Sequence, residues 1–76
     1  MTKAFVLIST ETGVEPLLQE EIKQLDGVKE VYQLFGEYDI LAVVEENSDR
    51  DVQKTISWEL RKIKGIRGTN TMIVAK

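Results

Sequence analysis

Two short runs of consecutive apolar residues, at positions 4–8 and 40–44, stand out in the hydrophobic pattern of the chain. Neither run alternates with polar residues, and both are rich in β-branched side chains. This pattern is typical of strands that are buried on both faces. We therefore predict that the two runs are central strands of one sheet.

Helical periodicity follows the first run. The apolar residues that recur at helical spacing there are Val14, Leu17, Leu18, Ile22 and Leu25. Thr12 and Glu15 have the spacing of a capping box, and Pro16 falls in the first turn. We predict a helix that begins near Thr12 and ends at Gly27.

A second helix is predicted after the second apolar run. Ser48 and Asp51 have the composition of a helix N-terminus, and Gly65 is a typical residue to end a helix. The side chains predicted to form its inner face are Val52, Ile56, Leu60 and Ile63.

Two other segments, at residues 28–35 and 66–75, have strand composition but are more polar than the first two runs. We predict that they are the edge strands, because charged and polar residues interrupt them. The order strand, helix, strand, strand, helix, strand, with apolar strands at the centre, predicts a four-stranded antiparallel sheet of order 4-1-3-2. This is the α+β, ferredoxin-like βαββαβ arrangement. Right-handed crossovers would place both helices on one face of that sheet.

The central strands are apolar on the face that the helices leave open. Phe5 and Leu7 point away from Ala4, Val6 and Ile8, and in the second run Leu41 and Val43 point away from Ile40, Ala42 and Val44, so an apolar set remains whichever set the helices cover. Each such side chain contributes about 1.5–3 kcal/mol when buried. We therefore expect an obligate homodimer whose sheets pack face to face.

The composition of the chain excludes several classes of function. The 76 residues carry 42% hydrophobic and 30% charged residues and a net charge of −3, with no cysteine and no histidine. Disulfides, thiolate metal sites and histidine chemistry are therefore unavailable, and we expect no metal and no cofactor. The acidic balance disfavours direct DNA binding. The first apolar run is too short for a signal peptide or a membrane span, so a cytoplasmic location without membrane contact is expected.

Three short motifs, at residues 25–31 (LDGVKEV), 36–40 (GEYDI) and 65–71 (GIRGTNT), resemble the effector-binding domain of the Lrp/AsnC family of transcription regulators, called the RAM domain. The resemblance covers essentially residues 1–76 as a single domain, and the family's DNA-binding helix-turn-helix domain is not among them. It implies a ferredoxin-like dimer, a ring of dimers such as an octamer, and amino-acid effectors bound where dimers meet. It also implies co-assembly with full-length Lrp/AsnC regulators.

The resemblance also assigns ligand-binding residues. The turn before the third strand would contribute Gly36, Glu37, Tyr38 and Asp39, and the last strand would contribute Thr69 and Thr71. Glycine permits close backbone approach, and Asp39 is suited to pair with an α-ammonium group. Thr55 and Glu59, on the second helix, are assigned to the same pocket by resemblance alone.

Simpler interpretations stay open at this point. The turn residues are also favoured in any tight turn, and threonine is an ordinary strand former. Trp58 is either a subunit contact or a surface aromatic packed under lysine and arginine stems. For the whole chain, the alternatives are a purely structural oligomerisation module and, with less support, a small ferredoxin-like enzyme such as a monooxygenase. We expect no catalytic residue, because the chain offers only carboxylates, lysines, tyrosines and hydroxyls.

Overall fold

The computed structural model describes residues 1–75, apart from the side chain of Glu15. The elements in chain order are β1 (Thr2–Thr10), α1 (Glu15–Lys23), β2 (Val28–Gln33), β3 (Ile40–Glu46), α2 (Asp49–Lys54), a π-helical segment (Thr55–Leu60) that continues α2, and β4 (Ile66–Ile73). The predicted order of elements is confirmed.

The four strands form one antiparallel sheet of order β2-β3-β1-β4, which is the predicted order read from the other edge. The two apolar strands pair directly at its centre, with Leu7 opposite Leu41 and Phe5 opposite Val43. Strand β4 pairs with the other side of β1 and forms one edge, and β2 forms the opposite edge. The predicted ferredoxin-like fold is therefore confirmed.

The core lies between the sheet and both helices, on one face only. Its buried residues from the sheet are Ala4, Val6, Ile8, Ile40, Ala42 and Val44. Its buried residues from the helical segments are Leu18, Ile22, Val52, Ile56 and Leu60. The alternation of buried and half-buried residues along β1 follows the period of two expected for a strand with one helix-covered face. The helices thus occupy the same face, as predicted.

The beginning of α1 differs from the prediction. Its N-cap is Val14, which has no side chain able to accept a hydrogen bond, so Thr12 does not cap the helix. The partner in the predicted capping box was the side chain of Glu15, which lies outside the described part of the structure. Leu17 is also 71% exposed, although its spacing suggested an inward position. The helix ends at Lys23, and a turn leads to Gly27, which has a φ of 90°.

The second helix begins as predicted and then changes type. Ser48 is its N-cap, and the Ser48 hydroxyl accepts a hydrogen bond of 3.2 Å from the backbone N–H of Asp51. After Lys54 the backbone widens into the π-helical segment, in which the N–H of Arg61 donates to the carbonyl of Ile56 five residues earlier. π-Helical turns are rare and frequently occur at functional sites. None of the described helices is long and apolar enough to cross a membrane.

Replacing Ser48 with alanine should lower the free energy of unfolding by about 1 kcal/mol, because the helix N-terminus loses its side-chain acceptor. Thr12→Ala is the matched control: Thr12 is exposed and caps no helix, so its loss should change stability little. Urea denaturation followed by circular dichroism measures both. Equal losses in the two variants would contradict the assignment of the cap.

The face of the sheet that the helices leave open carries apolar side chains from β1, β3 and β4. Phe5, Leu7 and Leu41 are half-buried by their neighbours, Val43 is 4% exposed, and Met72 is 49% exposed. The ammonium group of Lys3 lies 5.9 Å from the centre of the Phe5 ring. We call this surface the open face.

Tyr32 lies on the open face at its β2 edge, because it pairs with Leu41. Its hydroxyl donates a hydrogen bond to the carboxylate of Glu30. This bond, reinforced by the negative charge of Glu30, raises the pKa of Tyr32 above its ordinary value. The phenol therefore stays protonated to a higher pH than an ordinary tyrosine.

Candidate functional site

Asp39 ties the turn between β2 and β3 to the end of β1. Its backbone N–H donates to the carbonyl of Ile8 at 2.9 Å, and its carbonyl accepts from the N–H of Leu34 at 2.8 Å. Its side-chain Oδ2 accepts from the backbone N–H of Thr10 at 2.8 Å. A carboxylate has two oxygens and about four acceptor positions, so this bond leaves capacity for a ligand. Asp39 therefore has a structural role that the sequence did not predict.

The neighbouring turn residues are more open. Gly36 and Glu37 are exposed, and Gly36 has a φ of 151°, a conformation that side chains rarely adopt. Tyr38 is half-buried, and its hydroxyl accepts a long hydrogen bond of 3.4 Å from the Asn70 side-chain amide on β4. This contact links the turn to the strand that carries the predicted threonines.

Thr69 and Thr71 lie on the helix-covered side of β4, because they pair with Ile8 and Val6 of β1. Both are half-buried. They line an open cleft of about 310 Å³ between β4 and the second helix, which we call the β4 cleft. Its lining residues are Gln53, Ile56, Ser57, Arg61, Thr69, Asn70 and Thr71. Their predicted placement on one face of the last strand is confirmed.

Thr55 and Glu59 lie elsewhere. They line a different cleft, of about 450 Å³, on the flank of the second helix that faces β3 and the turn after α1. There the buried Thr55 hydroxyl donates a hydrogen bond to the carboxylate of Glu46, which packs directly against Gly27. Asp26 and Asp51 also line this cleft. Among the described side chains, which exclude that of Glu15, no group of three or more histidine, cysteine, aspartate or glutamate residues is arranged to hold a metal ion.

The eight predicted ligand-binding residues therefore do not converge in a single chain. Thr69 and Thr71 share the β4 cleft, whereas Asn70 pairs with Leu7, so its side chain contacts Tyr38 of the turn on the opposite side of β4. Thr55 and Glu59 open toward the opposite edge of the sheet. A pocket that uses both sets would need more than one copy of the chain, and the assignment of these residues to one ligand stays a prediction.

Several residues at these surfaces were not singled out from the sequence. Gln53, Ser57 and Arg61 line the β4 cleft. Phe35 is 96% exposed directly before the turn, whereas it was predicted to end strand β2. A polar row at positions 53, 57 and 61 is visible in the sequence, but only the position of β4 shows what it faces.

Trp58 points away from the core, as predicted, and is 61% exposed. The ammonium group of Lys62 lies 5.7 Å from the centre of its ring, a distance typical of a cation–π contact. This agrees with the interpretation of Trp58 as a surface aromatic packed under a lysine stem.

Comparison with known proteins decides the family. The family model described as the Lrp/AsnC ligand binding domain matches residues 3–76. The chain belongs to the Lrp/AsnC family. Among relatives of this Lrp/AsnC domain, the HTH-type transcriptional regulator LysM of Saccharolobus solfataricus is 35% identical over 75 residues, which are 97% of this chain and 52% of LysM. The Lrp/AsnC domain thus spans about half the length of this regulator.

Two further comparisons show how the Lrp/AsnC domain is used. Homocitrate synthase of Sulfurisphaera tokodaii is 31% identical over 75 residues, covering 97% of this chain but only 16% of the enzyme. The structure of AsnC from E. coli superimposes with a TM-score of 0.91 at 26% identity, covering 99% of this chain and 51% of AsnC. The domain therefore occurs both in transcription regulators and within a much longer enzyme.

Proposed function

We propose that this Lrp/AsnC domain binds an amino acid and that this binding changes how the domain oligomerises. Through this change it would modulate Lrp/AsnC-type transcription regulators. The observation that carries the proposal is the match to the family's ligand-binding domain over residues 3–76, combined with an open polar cleft at Thr69 and Thr71. The hydroxyls there, and the spare acceptor capacity of Asp39, suit the ammonium and carboxylate groups of an amino acid.

The relatives support effector binding as the common task. The domain accompanies a DNA-binding type of regulator in LysM and an enzyme in homocitrate synthase. DNA binding and catalysis are not shared by these two proteins, whereas control by a small ligand suits both. Catalysis by the domain itself has little support in its side chains: the Thr55 hydroxyl that pairs with the Glu46 carboxylate is buried, and the described lining of the β4 cleft holds no carboxylate.

For the assembly, we propose an isologous homodimer in which two open faces pack together, and a further ring of dimers such as an octamer. Phe5, Leu7, Leu41 and Met72 would be buried in the first interface. The support is physical: apolar contacts on both faces of β1 and β3 leave a surface that gains free energy when water is removed. Phe35, almost fully exposed beside the turn, suits a contact between dimers.

Titration of the purified chain with each of the twenty amino acids tests the sensing proposal. Isothermal calorimetry and the melting temperature should both report saturable binding of at least one amino acid, because a ligand that binds only the folded state raises its stability. Absence of heat and of any melting shift across all twenty would favour the alternative, a purely structural oligomerisation module.

Replacing Thr69 and Thr71 together with valine should weaken amino-acid binding about tenfold or more, because valine keeps the shape of threonine but removes both hydroxyls. Thr12→Val is the control, since Thr12 is exposed in the loop after β1 and does not line the β4 cleft. Calorimetry on the three proteins gives the comparison. An unchanged dissociation constant in the double variant would remove the β4 cleft from the site.

A further inference from the structure

The two clefts that flank the second helix differ in charge. The cleft at Thr55 is lined by four carboxylates, from Asp26, Glu46, Asp51 and Glu59, together with two lysines. Among the described residues, the β4 cleft is lined by one cation, Arg61, together with amide and hydroxyl side chains. No carboxylate is among these lining residues. In a chain of net charge −3, this makes the β4 cleft a local site of positive potential.

Three polar side chains from the second helical stretch, Gln53, Ser57 and Arg61, face β4 together. Around an α-helix, a residue four positions further along is displaced by about 40°, so Gln53, Ser57 and Arg61 would drift steadily away from one line. A π-helix has wider turns, with bonds between residues five apart, and displaces such residues in the opposite direction. Residues 55–60 of this stretch are π-helical, and Gln53, Ser57 and Arg61 all line the β4 cleft.

A second guanidinium adjoins the β4 cleft. The space next to it, about 450 Å³, is lined by Arg61, Ile66, Arg67, Gly68 and Thr69. Arg61 and Thr69 line both spaces, and Arg67 lines the second one. Arginine presents several N–H donors in a planar fork that matches a carboxylate. Arg61 also follows the last residue of the π-helical segment. The partial charge at a helix C-terminus is only about −0.5, so it does not neutralise the full positive charge of Arg61.

From this arrangement we infer that the effector is an amino acid with an acidic side chain, whose two carboxylates are bound by Arg61 and Arg67. The inference rests on the proposed function and narrows it to one ligand class, of which L-glutamate and L-aspartate are the probes. Thr69 and Ser57 would donate hydroxyl hydrogen bonds to the same carboxylates. A basic amino acid would be repelled by Arg61, and a branched apolar one would leave these polar groups without partners.

Calorimetric titrations of the whole chain with L-glutamate, L-aspartate, L-glutamine, L-lysine and L-leucine test the inference. The acidic pair should bind at least about tenfold more tightly than the other three. Arg61→Gln should weaken binding of the acidic pair about ten- to a hundredfold while changing L-glutamine binding far less. Arg50→Gln is the matched control, because Arg50 is exposed on α2 and does not line the β4 cleft. Arg61→Glu should shift the preference toward L-lysine.

The outcomes separate the inference from the proposed function. Tight binding of the acidic pair that falls in Arg61→Gln and persists in Arg50→Gln supports the inference. Binding of other amino acids without preference for acidic ones, or unchanged affinity in Arg61→Gln, overturns the inference and leaves amino-acid sensing in place. If no amino acid binds the wild-type chain, the proposed function fails, and the inference fails with it.

Discussion

Leu7→Asp should leave the chain folded and convert it to a monomer. Leu7 lies at the centre of the open face, opposite Leu41 on one side and Asn70 on the other, and contributes nothing to the helix-covered core. In the proposed dimer an aspartate there would bury a charge without a partner, which costs several kcal/mol. Because both copies carry the change, the association constant should fall by at least about a hundredfold.

Light scattering during gel filtration measures the mass of this variant, and circular dichroism verifies that it keeps its helices. Gln33→Asp is the matched control. Gln33 is exposed and pairs with Ile40, so it lies on the helix-covered side of an edge strand, away from the open face. The control should keep the mass of the wild-type protein. A Leu7→Asp protein with native dichroism and wild-type mass would show that the open face is not the interface.

Asp39→Ala should abolish amino-acid binding and also lower the free energy of unfolding, by about 1–3 kcal/mol. The first effect follows from the proposed pairing of Asp39 with the ammonium group of the effector. The second follows from the structure, because the backbone N–H of Thr10 would lose its acceptor at a partly buried site. The proposed sheet-to-sheet dimer should persist, since Asp39 lies in the turn at the end of β1.

Asp39→Asn separates these two effects. Asparagine keeps an oxygen that can accept from Thr10 but removes the negative charge. Its melting temperature should therefore stay near the wild-type value, while amino-acid binding is lost as in Asp39→Ala. Calorimetry and thermal unfolding on both variants give the comparison. Full affinity in Asp39→Asn would contradict the proposed contact with the ammonium group.

The strand order was predictable because the amino-acid composition of each strand reflects how deeply that strand is buried. The central strands, at residues 4–8 and 40–44, are apolar on both faces, and the edge strands carry polar residues. The period of two along each strand then assigned side chains to faces, as the pairing of Leu7 with Leu41 confirms. These are properties of single segments, so no knowledge of distant contacts was required.

The helices were harder to predict in detail. Val52, Ile56 and Leu60 are spaced by four residues, and this spacing is compatible with both α-helical and π-helical geometry, so the sequence does not distinguish them. The start of α1 was misplaced because Thr12 and Glu15 have the letters of a capping box, whereas Val14 occupies the N-cap. Local motifs show which conformation a segment favours by itself. The residue at which the helix begins also depends on how the chain packs in the tertiary structure.

The candidate site was only partly accessible from the sequence. Alternation placed Thr69 and Thr71 together, but the flank of the helix that each polar residue lines depends on packing against the sheet. Packing separates Thr55 from these threonines and brings Arg61 beside them. Asp39 was singled out for its charge, and its bond to Thr10 emerged only from the three-dimensional contact between two distant segments.

The central claim is that a second copy covers the open face. Sedimentation equilibrium of the wild-type chain at micromolar concentration tests it most directly. We predict a mass of at least twice the 8.7 kDa of one chain, without a detectable monomer. A well-folded species that sediments at 8.7 kDa across that range would contradict the claim.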